Sequence, residues 1–335
     1  MKPAPHQSNA PDARADAALL ALALMWGTSH VIAKNVLATH TPFFYTSLRF
    51  GLAALLFALI YAGPLRRSSR QAVRQGLLLG ACSFTGISLY TVGLVFTQAS
   101  KAGFITGLYL VFTPLLAWLF FRLHPTRDNL AGLLIAVAGF ALLSYPQNGA
   151  AFNWGDGLIL CAALAWGAHI AATSAFARQS EIHLLAAWQV IVVAVLALLA
   201  HLILSKLAVT SSSGPLTQLL ALEARPNHLT AATMAQIGYM ALLVTFVAAL
   251  VQTWAQGKVA PAHAALFYAL EPVMAALFAA LILGEKLSGR SALGALLIVS
   301  GVTLSRLGLL SKAARRADEA RAEKLRIEEQ GGFGA

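Results

Sequence analysis

The sequence predicts an all-α polytopic membrane protein with ten transmembrane helices in a five-plus-five inverted repeat. Three observations predict it. Of 335 residues, 58% are hydrophobic and only 11% are charged, too few charges to cover a water-exposed surface. The apolar residues come in blocks of about twenty, long enough to cross a ~30 Å hydrocarbon core at ~1.5 Å per helical residue. The two halves of the chain also repeat each other's motifs.

Taken in order, residues 1–16 form a polar, Pro-containing N-terminal tail. Spans follow at 17–37, 43–61, 76–96, 103–121 and 130–145, and these make the first half, 17–145. The second half, 155–310, holds spans at 155–177, 184–204, 235–254, 262–283 and 292–310. Each span is helical because backbone groups in lipid must be satisfied within the segment. Most connections are brief. The exception is the Ser/Thr/Pro-containing stretch 205–234, an extramembrane loop whose middle reads as a short surface helix. Residues 311–335 carry "SKAARRADEARAEKLRIEEQ", whose alternating charges on helical spacing read as a solvated tail.

The basic residues set the orientation. With the N-terminus inside, seventeen Lys and Arg fall on cytoplasmic segments, six fall outside, and Arg49 lies within span two. Both termini are therefore expected in the cytoplasm. The same count explains the net charge of +11 without nucleic acid as a partner. Cys82 and Cys161 lie inside apolar runs, which argues against a disulfide framework. No cleavable signal peptide is visible ahead of span one. No metal-ligand spacing and no phosphate-binding loop appear, so no cofactor and no metal is expected.

"LMWGTSHVIAKNVL" (24–37) aligns with "LAWGAHIAATSAFA" (164–177), setting Trp26-Gly27 over Trp166-Gly167. "FITGLYLVFTPLLAWLFF" (104–121) aligns with "AHAALFYALEPVMAALFA" (262–279), setting Pro114 over Pro272. "GLLIAVAG" (132–139) aligns with "GALLIVSG" (294–301), glycine over glycine at both ends. An odd number of spans per half turns the second half upside down relative to the first. Inverted repeats frame alternating access, with a substrate site near the midplane between the halves.

With these motifs, "LRFGLAALL" (48–56) and "EPVMAALFAALILGEKL" (271–287), the chain resembles the EamA-type branch of the drug/metabolite transporter superfamily. The likeness covers roughly residues 17–310. It implies a ten-helix carrier of small metabolites, often an exporter, in the bacterial inner membrane. One departure is that "LGE" (283–285) has "FRLH" (121–124) as its first-half counterpart, so the acidic residue stands in one half only.

Glu271 and Arg49 are the formal charges well inside the predicted spans. Each costs ~2.5–3.5 kcal/mol at a helix centre on insertion scales, so each should face the bundle interior or a wet cavity. By the repeat, Arg49 aligns with Gln189 and Glu271 with Thr113. Three roles fit the pair: a buried ion pair fixing helix packing, a substrate site, or a proton-coupling carboxylate. Pro114 and Pro272, mid-span, each free a carbonyl and bend the helix, which makes them, with Gly27 and Gly167, candidates for kinking or gating. Trp26, Trp166, Tyr90, Tyr109 and Tyr268 are candidates to line an amphipathic pocket, against the plainer reading of core or lipid-facing aromatics. His30, His169 and His263 fit a proton relay or hydrogen bonds between helices.

An intramembrane enzyme would need a nucleophile with a base or clustered metal ligands, and the sequence offers neither. The expectation is a secondary transporter of small amphipathic metabolites, amino acids or related compounds. Its partners would be the substrate, the bilayer and a proton as coupling ion. Within transport, the alternative is a flippase for lipid-linked or nucleotide-sugar substrates.

Overall fold

A computed structural model describes residues 12–96, 105–144, 153–207, 215–274, 277 and 288–308. Among them the chain is helical and contains no strand. The helices are α1 (Ala13–Leu37), α2 (Pro42–Ile60), α3 (Ala62–Arg66), α4 (Arg70–Phe96), α5 (Tyr109–Phe121), α6 (Arg127–Ser144), α7 (Trp154–Phe176), α8 (Ile182–Leu204) and α9 (Pro215–Glu223). There follow α10 (Ala231–Lys258), α11 (Pro261–Tyr268) and α12 (Gly289–Gly308). Six of these are long and apolar enough to cross a membrane: Pro42–Ile60, Arg70–Gly93, Trp154–Phe176, Ile182–Leu204, Ala231–Lys258 and Gly289–Gly308.

Local chemistry sets several ends. Pro42 opens α2, where its missing N–H removes a donor that has no partner anyway. At α7, Asn153 and Asp156 form a reciprocal capping box: Asn153 Oδ1 accepts from Asp156 N–H at 3.0 Å, and Asp156 Oδ2 accepts from Asn153 N–H at 2.7 Å. Helix α5 ends on Arg122 in the left-handed region, φ 54, with Leu123 N–H closing back on Ala117 O. That is a Schellman closure on a residue other than glycine. Helix α11 stops at Tyr268, turns at Ala269 and resumes over 270–274. The cause is Pro272, whose ring clashes with the carbonyl four residues back, that of Tyr268.

The second half interleaves with the first. Helix α4 lies along α7 and α8, α2 along α8, α5 on α7, and α1 beside α10 and α11. Small residues permit the closest approaches. A Cβ on Gly132 would land on the Gly301 carbonyl, and one on Gly139 would lie 2.6 Å from the Gly294 carbonyl. Helices α6 and α12 therefore cross backbone to backbone. Gly76 and Gly80 accept Trp188 and Val192 of α8 in the same way.

The loop helix α9 is tied to the bundle end where α2 begins. The buried Glu223 carboxylate accepts from Phe43 N–H at 2.9 Å and lies 3.1 Å from His201 Nδ1 at the end of α8. Asn227 Oδ1 accepts from Thr41 N–H at 2.8 Å. A carboxylate from a distant segment thus caps the N-terminus of α2, where the helix dipole favours negative charge. The predicted surface helix is present, and its final residue fixes it in place.

Candidate functional site

Most of the predicted aromatic residues meet in the middle of the bundle. Trp26 of α1 and Tyr268 of α11 have ring centroids 5.0 Å apart, inclined at 53°. Tyr109 belongs to the same apolar cluster, with Trp166 packed against it. Trp166 also meets His169 edge-on at 6.0 Å and closes over Gly86, whose missing side chain leaves room for the indole. Residues 261–270 are all buried, and Glu271 is the first in that run with accessible surface. Its carboxylate lies within electrostatic reach of the Tyr90 and Tyr109 hydroxyls. The arrangement is an aromatic cluster drawn from α1, α5, α7 and α11, with the Glu271 carboxylate near Tyr109 of that cluster and Tyr90 of α4.

Polar side chains of α10 support that cluster. Gln256 Nε2 donates to Tyr268 Oη at 2.9 Å, and Gln252, one helical turn earlier on α10, lies close to the same hydroxyl. Sequence reasoning passed over both glutamines. Their signal was present, because two amides one turn apart in an apolar run share a face. The Pro272 break sits between Tyr268 and Glu271, so it sets the angle between the hydroxyl and the carboxylate.

The remaining predicted residues fall in several places. His169 Nε2 meets Gln189 Oε1 at 2.8 Å, and Gln189 Nε2 reaches Thr253 Oγ1 at 3.4 Å, which links α7, α8 and α10 by buried polar groups. Thr113 is fully buried, and Gly167 packs against it and Phe112. Pro114 lies inside α5. Gly27 is buried on α1 next to Trp26. His30 lies on α1, but its side chain is outside the described residues.

Arg49 is bound to α10. Its Nε donates to Thr245 Oγ1 at 2.7 Å and its Nη2 to Val244 O at 3.2 Å, and its guanidinium carbon sits 5.2 Å from the Phe50 ring centre. Both acceptors belong to a π-helical turn, Leu242–Val247.

His263 is placed away from the aromatic cluster, at the end of the bundle where α1 begins and α12 finishes. Its Nε2 lies 2.8 Å from Asp16 Oδ1. Asp16 Oδ2 lies 3.0 Å from Arg306 Nε, an approach without hydrogen-bond alignment. Ser305 Oγ donates to Asn129 Oδ1 at 2.8 Å and lies 3.5 Å from His263 Nδ1. Sequence reading put Asp16 at the end of the polar N-terminal tail, residues 1–16. It is buried here because α1 starts earlier than its apolar run.

The profile of the EamA-like transporter family matches this chain twice, over residues 13–145 and 153–307. The chain belongs to the EamA-like transporter family. It is 33% identical over 290 residues to an "Uncharacterized transporter" of Archaeoglobus fulgidus, covering 87% of this chain and 85% of that one. It is 28% identical over 129 residues to the "Uncharacterized transporter YyaM" of Bacillus subtilis, covering 37% of this chain and 42% of that one. A crystal structure at 18% identity superposes with a TM-score of 0.72, over 90% of this chain and 99% of the other. That likeness concerns the fold. Membership makes this EamA-like protein a multi-pass membrane protein of a transporter family, and both named relatives are named for transport.

Proposed function

We propose that this protein is a secondary carrier that moves small amphipathic metabolites bearing an amine, amino acids or related compounds, across the bacterial inner membrane by alternating access. The single observation that carries the reading is the Trp26–Tyr268 ring pair in the bundle interior, with the partly accessible carboxylate of Glu271 three residues beyond Tyr268. A carboxylate attracts a cation, and aromatic faces add ~0.5–2 kcal/mol to a cation held against them. The same rings accept an apolar body. Glu271 is also the group that would take up and release the coupling proton.

The mechanism takes a ten-span inverted repeat as its frame, and two observations support that frame. The family profile matches the two halves separately, and the contacts of α6 with α12 are reciprocal. Gly132 meets Gly301 while Gly139 meets Gly294, so each glycine touches the repeat equivalent of the other glycine on its own helix. Two copies of one segment related by a two-fold axis make this pattern. On this reading both termini face the cytoplasm and the working direction is export.

Proteoliposomes carrying the parent chain or Glu271→Gln test the proposal, with labelled amino acids, amines, nucleosides and sugars followed in both directions. The expected result is movement of amine-bearing compounds, stimulated by an imposed pH gradient in the parent alone. Movement that ignores the gradient and survives Glu271→Gln would remove Glu271 from coupling. If folded protein moves nothing in the panel, the soluble-metabolite reading fails and lipid-linked substrates are tried next.

A further inference from the structure

The π turn in α10 has a specific hydrogen-bonding cost, and two side chains meet it. In an uninterrupted α-helix Ala248 N–H would bond Val244 O. Here it is shared between Leu243 O, five residues back, and Thr245 O, three back, and Arg49 Nη2 occupies Val244 O. At the other side of the turn, Thr245 Oγ1 donates to Met240 O, also five residues back, at 2.8 Å, and accepts from Arg49 Nε. The planar guanidinium therefore holds two adjacent residues of the turn at once. A lysine ammonium lacks that fork.

A π turn inserts one residue into a helix, and such turns collect at functional sites. If it relaxed to α geometry with no residue removed, everything beyond would rotate by about 100° and shift by ~1.5 Å. Gln252 and Gln256 lie directly beyond it. Gln256 donates to the Tyr268 hydroxyl and Gln252 lies close to it on the same helix face, so both would leave it together.

We infer that Arg49 is a positioning residue: it locks the π turn of α10 and thereby sets the register in which Gln252 and Gln256 present themselves to Tyr268. The inference rests on the reading of Tyr268 and Glu271 as the transport site. Arg49 then acts on substrate through α10 rather than by touching it.

Two measurements in one set of variants test this. With Cys82 and Cys161 replaced by alanine, single cysteines are placed in turn at 250–257 and labelled with N-ethylmaleimide. Arg49→Gln and Thr245→Val each should move the labelling maximum by one position relative to the parent. Transport kcat/KM should fall roughly tenfold or more in Arg49→Gln, the loss expected of a charge-assisted hydrogen bond, and Arg49→Lys should not rescue it. Deleting Leu243, an exposed member of the turn, converts it to plain α-helix with the glutamine face in place. Arg49→Gln with that deletion should recover both the labelling pattern and transport. An unmoved pattern in Arg49→Gln and Thr245→Val overturns the inference. So does a deletion that leaves transport at the Arg49→Gln level, which would make Arg49 a substrate ligand. If the parent transports nothing in the panel, the functional reading fails while the labelling pattern still decides the clamp. If Arg49→Gln fails to fold, Thr245→Val alone carries the labelling test.

Discussion

Replacing Asp16 should cost an amount that depends on the replacement. Its side chain is 2% exposed and that of His263 4%, with 2.8 Å between Oδ1 and Nε2. Arg306 adds less: its side chain is 42% exposed and its Nε approach is unaligned. With one partner this exposed and no alignment, the contact is worth ~0–1 kcal/mol. Asp16→Asn keeps an acceptor for His263 and loses the charge, so we expect a loss of about 1–2 kcal/mol, the charged part of a net ~1.5–3 kcal/mol bond. Asp16→Ala leaves a buried imidazole without its partner and should cost about 3–5 kcal/mol. The assay is reversible unfolding in mixed micelles for Asp16→Ala, His263→Ala and the double variant. The cycle should return a coupling of about 1.5–3 kcal/mol. Single-variant losses that add to within ~0.5 kcal/mol would refute the argument, because uncoupled residues behave that way.

Three further outcomes follow from the packing and hydrogen bonds. Glu223→Gln should lower stability by about 1 kcal/mol, the scale of a capping charge at a helix N-terminus, and should speed hydrogen exchange at Phe43; an unchanged Phe43 amide would show that the α9 contact does not hold α2. Tyr268→Phe should strand the buried Gln256 amide at a cost of about 1–3 kcal/mol and raise the transport KM, read from a substrate titration. Gly132→Leu and Gly139→Leu should each destabilise by about 1–3 kcal/mol. By contrast Gly51→Ala, which meets nothing within 4 Å, should stabilise α2 by up to about 1 kcal/mol, all read by thermal unfolding in detergent.

The parts legible in the sequence were those that depend on period and composition. The helical blocks follow from apolar runs, and the repeat marked the glycines at which α6 and α12 cross, though the crossing itself was not read from it. Trp26, Tyr109, Tyr268 and Glu271 could be nominated because polar or aromatic groups deep in such runs need an interior face. The π turn could not be read. "LLVTFV" is an ordinary apolar stretch, and its geometry depends on a guanidinium supplied from nearly two hundred positions earlier. Arg49 was visible as a charge within a span, but its partners are the Thr245 hydroxyl and a backbone carbonyl, neither of which offers a complementary charge to read in the sequence. Asp16 was missed for a related reason: hydropathy locates where lipid begins, whereas α1 extends beyond that boundary to bury its first acid.

The glycine crossing of α6 and α12 bears on how sequence variation is shared across the molecule. Two separate, identical subunits meeting in this manner would carry every substitution twice, once on each side of the axis. An acid introduced at one level would then face a copy of itself, and one of the two would have to be neutralised. A single continuous chain is free of that constraint. In the alignment of the two halves Glu271 falls opposite Thr113 and Arg49 opposite Gln189, so each aligned pair holds one charge and one neutral polar group. Joining the halves allows a symmetric frame to hold an asymmetric interior.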